Sequence, residues 1–482
     1  MKCALRRRRL SSHLQIGVRC DILYKMKKDV LHNRTVPRRL TSAQIIPLGF
    51  LLLILLGTGL LWLPFAAAPG AHTSFLTALF TATTSVCVTG LVVVDTYAHW
   101  SLFGKLVILL LIQLGGLGVI AVSSSILLLM RRRLSIRDRV LLRDAFSLDS
   151  ISGLVGFLRR VFVGVFAVEG VGALLYAFAF VPRYGLVKGV WFSIFHAVSA
   201  FCNAGLDLIG PDSLLSYADN AWVLSVTMAL IVLGGLGFVV WFDCQAVLGS
   251  RLRHGKARLS VHSRLVLWLT LALIASGTGL VLLLEYRNPA TLGAMPFGQK
   301  LLHSLFQSVT FRTAGFAAIP QGGLMDATVL IGCLYMFIGG SPMGTAGGVK
   351  TVTMLVLVAE ALAHVRGRSE TVLLRRCVSP ALIRKATSIL FVSLTVSLGM
   401  SAALLLTDGL PLSDTLYEVF SATATVGLSK GITAHLSVAG RWIIILCMYL
   451  GRIGPISLAL FFGGDEAQKN EIRHANGSFY VG

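Results

Sequence analysis

Four short segments of this chain share one pattern, in which small and hydroxyl residues lead into a single glycine between two apolar stretches. The segments are 83–91, 199–207, 309–316 and 421–429, and their glycines are spaced 115, 110 and 112 residues apart. The glycines are Gly90, Gly205, Gly315 and Gly427. Non-helical backbone in hydrocarbon is tolerated only where protein or water receives its polar groups. The recurrence therefore predicts four repeats, each with an irregular loop at membrane depth.

The apolar stretches around these loops are long enough to cross a membrane. Of the 482 residues, 55% are hydrophobic and 13% are charged, whereas soluble domains carry about 25% charged residues. A bilayer core needs about 20 apolar residues per helix. Eight stretches qualify, at 45–66, 101–130, 155–181, 219–249, 264–286, 326–349, 385–407 and 438–463. We predict an all-α integral membrane protein.

The net charge of +22 is unevenly distributed along the chain. Basic residues concentrate in alternate connections, at 1–40, 131–160, 251–264 and 366–385. The intervening segments carry Asp95, Asp207, Asp212, Asp219, Asp408, Asp414 and Glu418. Basic loops stay on the cytoplasmic side of a membrane. We therefore predict a multi-pass protein of the cell membrane with both termini cytoplasmic, whose partner is the lipid bilayer and not a nucleic acid.

Each repeat can be divided into the same parts. An apolar helix crosses outward, a short helix returns part way, the glycine loop follows, and a second helix crosses inward. The returning helices are predicted at 74–84, 188–200, 299–310 and 413–422. Two crossings per repeat leave every copy in one orientation, unlike the inverted repeats of many secondary transporters. We predict four M1-P-M2 repeats, with eight transmembrane helices and four re-entrant pore helices around a pseudo-fourfold central pore.

The predicted divisions of the chain follow from this count. A basic cytoplasmic arm spans 1–40, repeat 1 spans 41–130 and repeat 2 spans 131–250. Repeat 3 spans 251–366 and contains an intramembrane gate loop, repeat 4 spans 367–464, and a cytoplasmic tail spans 465–482.

The four loops suit the coordination of a monovalent cation. A ring of backbone carbonyls can replace the hydration shell of such an ion, and glycine tolerates the positive φ that aligns successive carbonyls. Four ordinary glycine turns, or glycines for close helix packing, are the alternative. The candidate residues for binding such a cation, with no other metal site in the chain, are Val88, Thr89, Gly90, Asn203, Ala204, Gly205, Thr313, Ala314, Gly315, Thr425, Val426 and Gly427.

A second correspondence lies within the four inward-going helices. Three copies place Gly116, Gly235 and Gly340 at one position, and the fourth places Arg452 there. An arginine in an apolar span usually faces the bundle interior or water. We predict that Arg452 narrows the conduction path and raises an electrostatic barrier; the alternative is a structural partner for Glu418 or for backbone carbonyls. In the first two repeats we expect the L-G-G-L-G helices to be uninterrupted.

The third repeat departs from the others within its inward helix. Residues 339–351 contain five glycines and a proline, which a continuous helix disfavours. A flexible segment just inside the loops is a candidate gate, and a static kink is the alternative. The candidate gate residues are Gly339, Gly340, Gly344, Thr345, Ala346, Gly347, Gly348, Lys350 and Arg452, with Lys350 expected near the cytoplasmic end, where it could snorkel.

These motifs together resemble the Trk/Ktr/HKT superfamily of potassium transporters. The resemblance rests on the loops V-C-V-T-G-L, S-A-F-C-N-A-G-L-D, F-R-T-A-G-F and T-V-G-L-S, on the glycine-rich interruption and on G-R-I-G-P. Eight spans make the chain more similar to the KtrB branch than to TrkH. The resemblance implies potassium uptake, one filter glycine per repeat, an intramembrane gating loop at 339–350 and a pore-facing Arg452.

The resemblance also implies partners. It implies a homodimer on a cytosolic ring of nucleotide-binding regulatory subunits similar to KtrA, with no cofactor in this chain other than transported potassium. Coupling to sodium stays open. Two positions depart from the family pattern: Cys202 stands where an asparagine is common, and Met343 is bulkier than the usual small residue.

Other functional classes fit the sequence less well. A transporter of sodium or another monovalent cation shares most of the pattern, and a small-solute secondary transporter would favour inverted repeats. A membrane enzyme is the third class, but neither H-E-x-x-H nor G-x-S-x-G appears on the predicted spans. We predict that the protein is not an enzyme.

Overall fold

The computed structural model describes residues 42–118, 154–253 and 256–454. The predicted basic arm at 1–40, the tail at 465–482 and most of the basic connection at 131–160 lie outside the described residues. The described chain is mostly helical, with one two-stranded hairpin.

The helices follow in four groups along the chain. The first group contains α1 (Ser42–Leu61), α2 (Phe75–Cys87), α3 (Thr96–His99) and α4 (Leu102–Leu117). The second contains α5 (Leu154–Tyr184), α6 (Leu186–Cys202), α7 (Ala221–Leu236) and α8 (Phe238–Leu252). The third contains α9 (Val261–Glu285), α10 (Phe297–Thr310), α11 (Asp326–Phe337) and α12 (Thr351–Val365). The fourth contains α13 (Pro380–Asp408), α14 (Leu412–Thr423) and α15 (Val438–Ile453).

Smaller elements join these helices. The hairpin of β1 (Val372–Leu373) and β2 (Arg376–Cys377) lies between α12 and α13. Short 3₁₀ helices cover Pro64–Ala66, Ser213–Tyr217, Gln321–Gly323 and Thr433–His435.

Fewer helices reach membrane length than the eight predicted spans. In the described residues, four helices are long and apolar enough, at Gln44–Leu61, Val155–Tyr184, Val261–Glu285 and Pro380–Asp408. A fifth is obtained if α7 and α8, which meet at 99°, are counted as one bent span. These helices open their groups, apart from the bent pair. Residues 119–130 and 455–463, which belong to the predicted spans at 101–130 and 438–463, lie outside the described residues.

The helices that follow the glycine loops are shorter because each stops near its glycine motif. Helix α4 ends before Gly118, α7 before Gly237 and α15 before Gly454, and these glycines have φ of 87°, 91° and 84°. A left-handed φ of this kind interrupts a helix and is readily adopted by glycine. The prediction of uninterrupted L-G-G-L-G helices in the first two repeats is therefore wrong.

Contacts between groups close into a ring. The inner helix of each group packs against the short helix of the next, in the pairs α4 with α6, α7 with α10, α11 with α14 and α15 with α2. The short helices carry aromatic residues that are fully buried or nearly so, among them Phe80, Phe195, Phe306 and Tyr417. The core therefore surrounds the ends of these short helices, where the four glycine loops begin.

Candidate functional site

The four glycine loops have the same backbone conformation. The residue two places before each glycine has a left-handed φ, of 55° at Val88, 60° at Asn203, 69° at Thr313 and 53° at Thr425. The glycines themselves have φ of 102°, 65°, 80° and 97° in chain order. For a β-branched residue a positive φ is an outlier, and nothing in the sequence indicated it. Strain of this kind persists only where the surrounding structure holds it.

The structure brings the four loops together around a common centre. A side-chain carbon at Gly90 would lie 2.5 Å from the Ala204 carbonyl oxygen, and one at Gly205 would lie 2.7 Å from that of Ala314. One at Gly315 would lie 2.6 Å from the Val426 carbonyl oxygen. At Gly427 it would strike the Thr89 carbonyl oxygen. Each glycine thus lies against the next loop, and the fourth lies against the first.

A hydroxyl group from the end of each short helix fixes the adjoining loop. Thr84 Oγ1 accepts a hydrogen bond from the Gly90 amide at 2.9 Å, and Ser421 Oγ accepts one from the Gly427 amide at 3.0 Å. In the other two loops the hydroxyl donates instead, from Ser199 to the Leu206 carbonyl at 2.5 Å and from Thr310 to the Phe316 carbonyl at 2.7 Å. The hydroxyl residues of the sequence pattern therefore hold the loop backbone.

The glycine-rich segment at 339–350, here called the gate segment, lies directly against these loops. The Gly347 amide donates to Thr313 Oγ1 at 3.2 Å, and Thr345 Oγ1 donates to the Phe201 carbonyl at 3.1 Å. Its ends pair with each other, since the Gly339 amide donates to the Val349 carbonyl at 3.1 Å. The segment is an irregular closed loop and not a kinked helix.

Lys350 stands directly before α12, and its side chain turns back onto the gate segment. Its ammonium group donates to the Ala346 carbonyl at 2.6 Å, within the gate segment itself. The lysine therefore binds the segment's own backbone.

Arg452 connects three parts of the chain on the same side of the loops. Its guanidinium donates to the Thr345 carbonyl at 2.9 Å, to the Gly116 carbonyl at 3.3 Å and to the Gly115 carbonyl. The carbonyl partners agree with one of the alternatives for this arginine. The suggested pairing with Glu418 is wrong, because that carboxylate accepts hydrogen bonds from Ser429 at 2.6 Å and from Thr433.

A buried acid behind the second loop was not identified from the sequence. Glu169 accepts a hydrogen bond from Gln113 Nε2 at 3.1 Å, and the Cys202 thiol lies 3.9 Å from its other oxygen. A side-chain carbon at Gly116 would lie 2.6 Å from the Cys202 sulfur. The sequence does contain a signal for Glu169, because an ionisable residue inside an apolar span is a functional candidate by default.

A buried amide network behind the third loop was also missed. Gln307 and Gln321 exchange side-chain hydrogen bonds of 2.8 and 3.1 Å, and the Tyr417 hydroxyl donates to Gln321 at 2.8 Å. The network joins α10, the segment that follows the third loop, and α14. Only tertiary contact brings these three residues together, so sequence spacing carries no trace of them.

Several acidic residues of the non-basic connections stabilise local structure. Asp95 accepts from the Tyr97 amide at 2.7 Å at the start of α3, and Asp408 accepts from the Ser437 amide at 3.0 Å. Asp414 forms a salt bridge of 2.5 Å with Lys430. These carboxylates hold the connections that carry the chain from the loops to the inner helices.

Comparison with known proteins gives a consistent result. A family model described as "TrkH: Cation transport protein" matches residues 17–471. The Ktr system potassium uptake protein B of Bacillus subtilis (strain 168) is 38% identical over 444 residues, which cover 92% of this chain and 97% of that protein. The potassium/sodium uptake protein NtpJ of Enterococcus hirae is 37% identical over 443 residues, covering 91% and 96% respectively.

A solved structure shares the fold. The potassium transporter TrkH from Vibrio parahaemolyticus superposes with a TM-score of 0.68 at 18% identity, covering 90% of this chain and 87% of that one.

Proposed function

This chain belongs to the TrkH family of cation transport proteins, and we propose that it takes up potassium across the cell membrane through one pore per subunit. The resemblance predicted from the motifs is confirmed at the level of the family. Because the family consists of ion transporters and not of enzymes, the enzyme class is set aside. The chain is a multi-pass membrane protein with several apolar helices.

The observation that carries the proposal is the closed ring of loop contacts. Each loop glycine lies against a carbonyl oxygen of the next loop, from Gly90 through to Gly427 and back to Thr89. Four backbones at this distance leave room for no side chain at the glycines, which suits a path bounded by carbonyl oxygens. A monovalent cation in such a path exchanges water for carbonyl oxygens. We assign the filter to the twelve candidate residues of the four loops.

The proposed architecture follows from the same ring. Four M1-P-M2 repeats, with α2, α6, α10 and α14 as re-entrant pore helices, would surround a pseudo-fourfold axis. The pairing of each inner helix with the next pore helix supports this order. The C-terminal ends of the pore helices, which carry partial negative charge, would then favour cations at the centre.

The gate would lie on the inner side of the filter. The gate segment donates through Gly347 to the third loop and through Thr345 to the end of α6. Arg452 binds the same segment at the Thr345 carbonyl. We assign this arrangement to a closed pore, in which the segment and the guanidinium together block the path.

Partners and orientation are proposed on the strength of the relatives. The Bacillus subtilis relative is named as one protein of a Ktr system, which supports an assembly with other components. For this chain the proposed assembly is a homodimer on a cytosolic ring of nucleotide-binding subunits. Both termini would be cytoplasmic, in keeping with the basic connections. No cofactor is proposed for this chain, and potassium is the first candidate for the transported ion.

Sodium is the second candidate ion, as a coupled or an alternative substrate. The name of the Enterococcus hirae relative includes both ions. The two possibilities differ in whether sodium raises potassium flux or replaces it.

The test is an ion-flux measurement on the purified full-length chain in lipid vesicles. We expect uptake of potassium and its congener rubidium, with slower uptake of sodium. Sodium flux that equals or exceeds potassium flux would favour the alternative substrate. Vesicles that carry folded protein but take up none of these ions would overturn the proposal.

A further inference from the structure

The inner helix of the second repeat is broken in a way that involves the gate segment. At Gly237, with φ of 91°, α7 and α8 meet at 99°. A break leaves carbonyls of the last helical turn without the amide four residues onward. In hydrocarbon those carbonyls need another donor. The groups concerned here are the carbonyls of Leu233, Gly234 and Gly235.

All three carbonyls have found substitute donors, and two of the donors belong to the gate segment. The Gly234 carbonyl accepts from the Thr345 amide at 3.1 Å, and the Gly235 carbonyl accepts from the Ser341 amide at 3.0 Å. The Leu233 carbonyl accepts from Trp241 Nε1 at 3.0 Å. The broken helix is therefore completed by the gate segment.

The first amide of α8 also forms a hydrogen bond with the gate segment. Phe238 donates its amide to the Met343 carbonyl at 3.1 Å. In a continuous helix this amide would donate to Gly234, and the Val239 amide would donate to Gly235. The bonds of the gate segment and the bonds of a straight helix thus compete for the same backbone groups.

We propose that Gly237 positions the gate segment, which leaves the pore loops when α7 and α8 straighten into one helix. The inference rests on the proposed function, because it takes residues 339–350 as the gate. When α7 and α8 straighten at Gly237, the three hydrogen bonds between this hinge and the gate segment break. The Phe238 and Val239 amides then form helical hydrogen bonds to Gly234 and Gly235. The released amides of Ser341 and Thr345 and the Met343 carbonyl then face the water of the opened path.

Helix α8 is suited to transmit a pull on this hinge. It leads into the connection at 251–264, where five basic residues occur, and Asp243 on α8 accepts from the Ser260 amide at 2.7 Å. A force on that connection therefore acts on α8 directly. A partner that displaces the connection would move the gate segment through backbone hydrogen bonds.

The equivalent glycine of the first repeat provides a matched comparison. Gly118 has nearly the same φ, 87°, but among the described residues nothing lies within 4 Å of a side-chain carbon placed there. A side-chain carbon at Gly237 would strike the Pro342 carbonyl of the gate segment. Alanine at both sites imposes the same backbone strain, but only at Gly237 does it displace the gate segment.

Two substitutions at the hinge should act in opposite directions. Gly237→Ala disfavours the bent form by roughly tenfold, given the cost of holding alanine at positive φ, so we expect up to that increase in rubidium flux. Val239→Pro is tolerated in the first turn of α8 but not inside a continuous helix, so flux should fall below wild type. Both variants are measured as the full-length chain in vesicles, normalised to folded protein.

The outcomes separate the inference from the function on which it rests. Wild-type flux in Gly237→Ala, wild-type or higher flux in Val239→Pro, or an equal rise in Gly118→Ala would each overturn the hinge. Deletion of residues 344–347 is measured in parallel. If the deletion raises flux and Gly237→Ala does not, the hinge is rejected and the gate stands; if the deletion raises nothing, the gate itself is rejected.

A distance measurement keeps the inference testable where a variant folds poorly. Spin labels at Trp222 on α7 and Leu248 on α8, both exposed, would be about 39 Å apart along a straight helix of 1.5 Å rise per residue. The 99° bend makes the distance much shorter. We expect a longer population in the deletion variant, which removes the Thr345 amide bound to the Gly234 carbonyl and displaces the rest of the gate segment. An unchanged distance there would overturn the inference.

Discussion

Each loop glycine is confined by a neighbouring loop and not by its own. At Gly90 the confining atom is the Ala204 carbonyl oxygen, 2.5 Å from where a side-chain carbon would stand. The hydroxyl of Thr84 further holds the Gly90 amide at 2.9 Å. Gly90 therefore fixes the width of the proposed filter at this point and the direction of the adjacent Ala204 carbonyl.

Gly90→Ser should lower the preference for potassium over sodium. The added carbon displaces the Ala204 carbonyl and cannot easily keep φ at 102°. A loss of about tenfold in the flux ratio corresponds to about 1.4 kcal/mol, and rubidium and sodium fluxes measure it. Gly59→Ser is the control, because that glycine on α1 has nothing within 4 Å. An unchanged ratio in Gly90→Ser would refute the assigned filter.

Arg452→Ala should increase potassium flux. The guanidinium holds the gate segment through Thr345 and holds α4 through Gly116, and each charge-assisted bond contributes about 1.5–3 kcal/mol. Arg441 on the same helix also donates to carbonyls, of Leu436 and Ala434, but does not contact the gate segment. Arg441→Ala should therefore keep wild-type flux. Reduced flux in folded Arg452→Ala protein would show a purely structural arginine.

At the scale of elements, the four inner helices differ more than their sequences indicate. Three of them end at a left-handed glycine, and the third repeat continues into the gate segment. The L-G-G-L-G motif reads as ordinary apolar helix, because hydrophobicity and length do not register a change of φ at one glycine. The break is stable at Gly237 because Ser341 and Thr345, about a hundred residues away, supply the missing donors.

Deletion of residues 344–347 should raise potassium leak. It removes the contacts of Thr345 with Arg452 and α6 and the contact of Gly347 with Thr313. If the open state is a minor state of about 0.1–10%, flux can rise at least tenfold. Leak is measured as potassium loss from loaded vesicles. Leak equal to wild type at equal protein content would argue that residues 339–350 form a static loop and not a gate.

At the scale of the whole molecule, the ring is closed by contact between the two ends of the described chain. Helix α15 packs against α2 as the other inner helices pack against the following short helices. The ring of helix contacts is thus completed within one chain. A homodimer would then carry two separate pores, with the regulatory ring acting on the connections between repeats.

Expression in a host that lacks its own potassium uptake tests the molecule as a whole. We expect growth at low external potassium, increased by a co-expressed nucleotide-binding partner and by sodium. The partner is expected to act because, in the proposed closed pore, the contacts of the gate segment would hold the path shut. Growth is compared with that of the Gly90→Ser variant as a matched control. Equal growth with and without the chain would contradict potassium uptake.

The sequence by itself determined the membrane class, the four loops with their glycines, the irregular gate segment and the family, because these depend on hydrophobic length, on spacing and on residues that backbone conformation requires. It could not reveal the left-handed Val88 and Thr313, the break at Gly237, or which carbonyls Arg452 binds. Those features depend on atoms that meet from different repeats. Only the tertiary structure decides them, because a strained or broken backbone is stable only where a distant part of the chain supplies its hydrogen bonds.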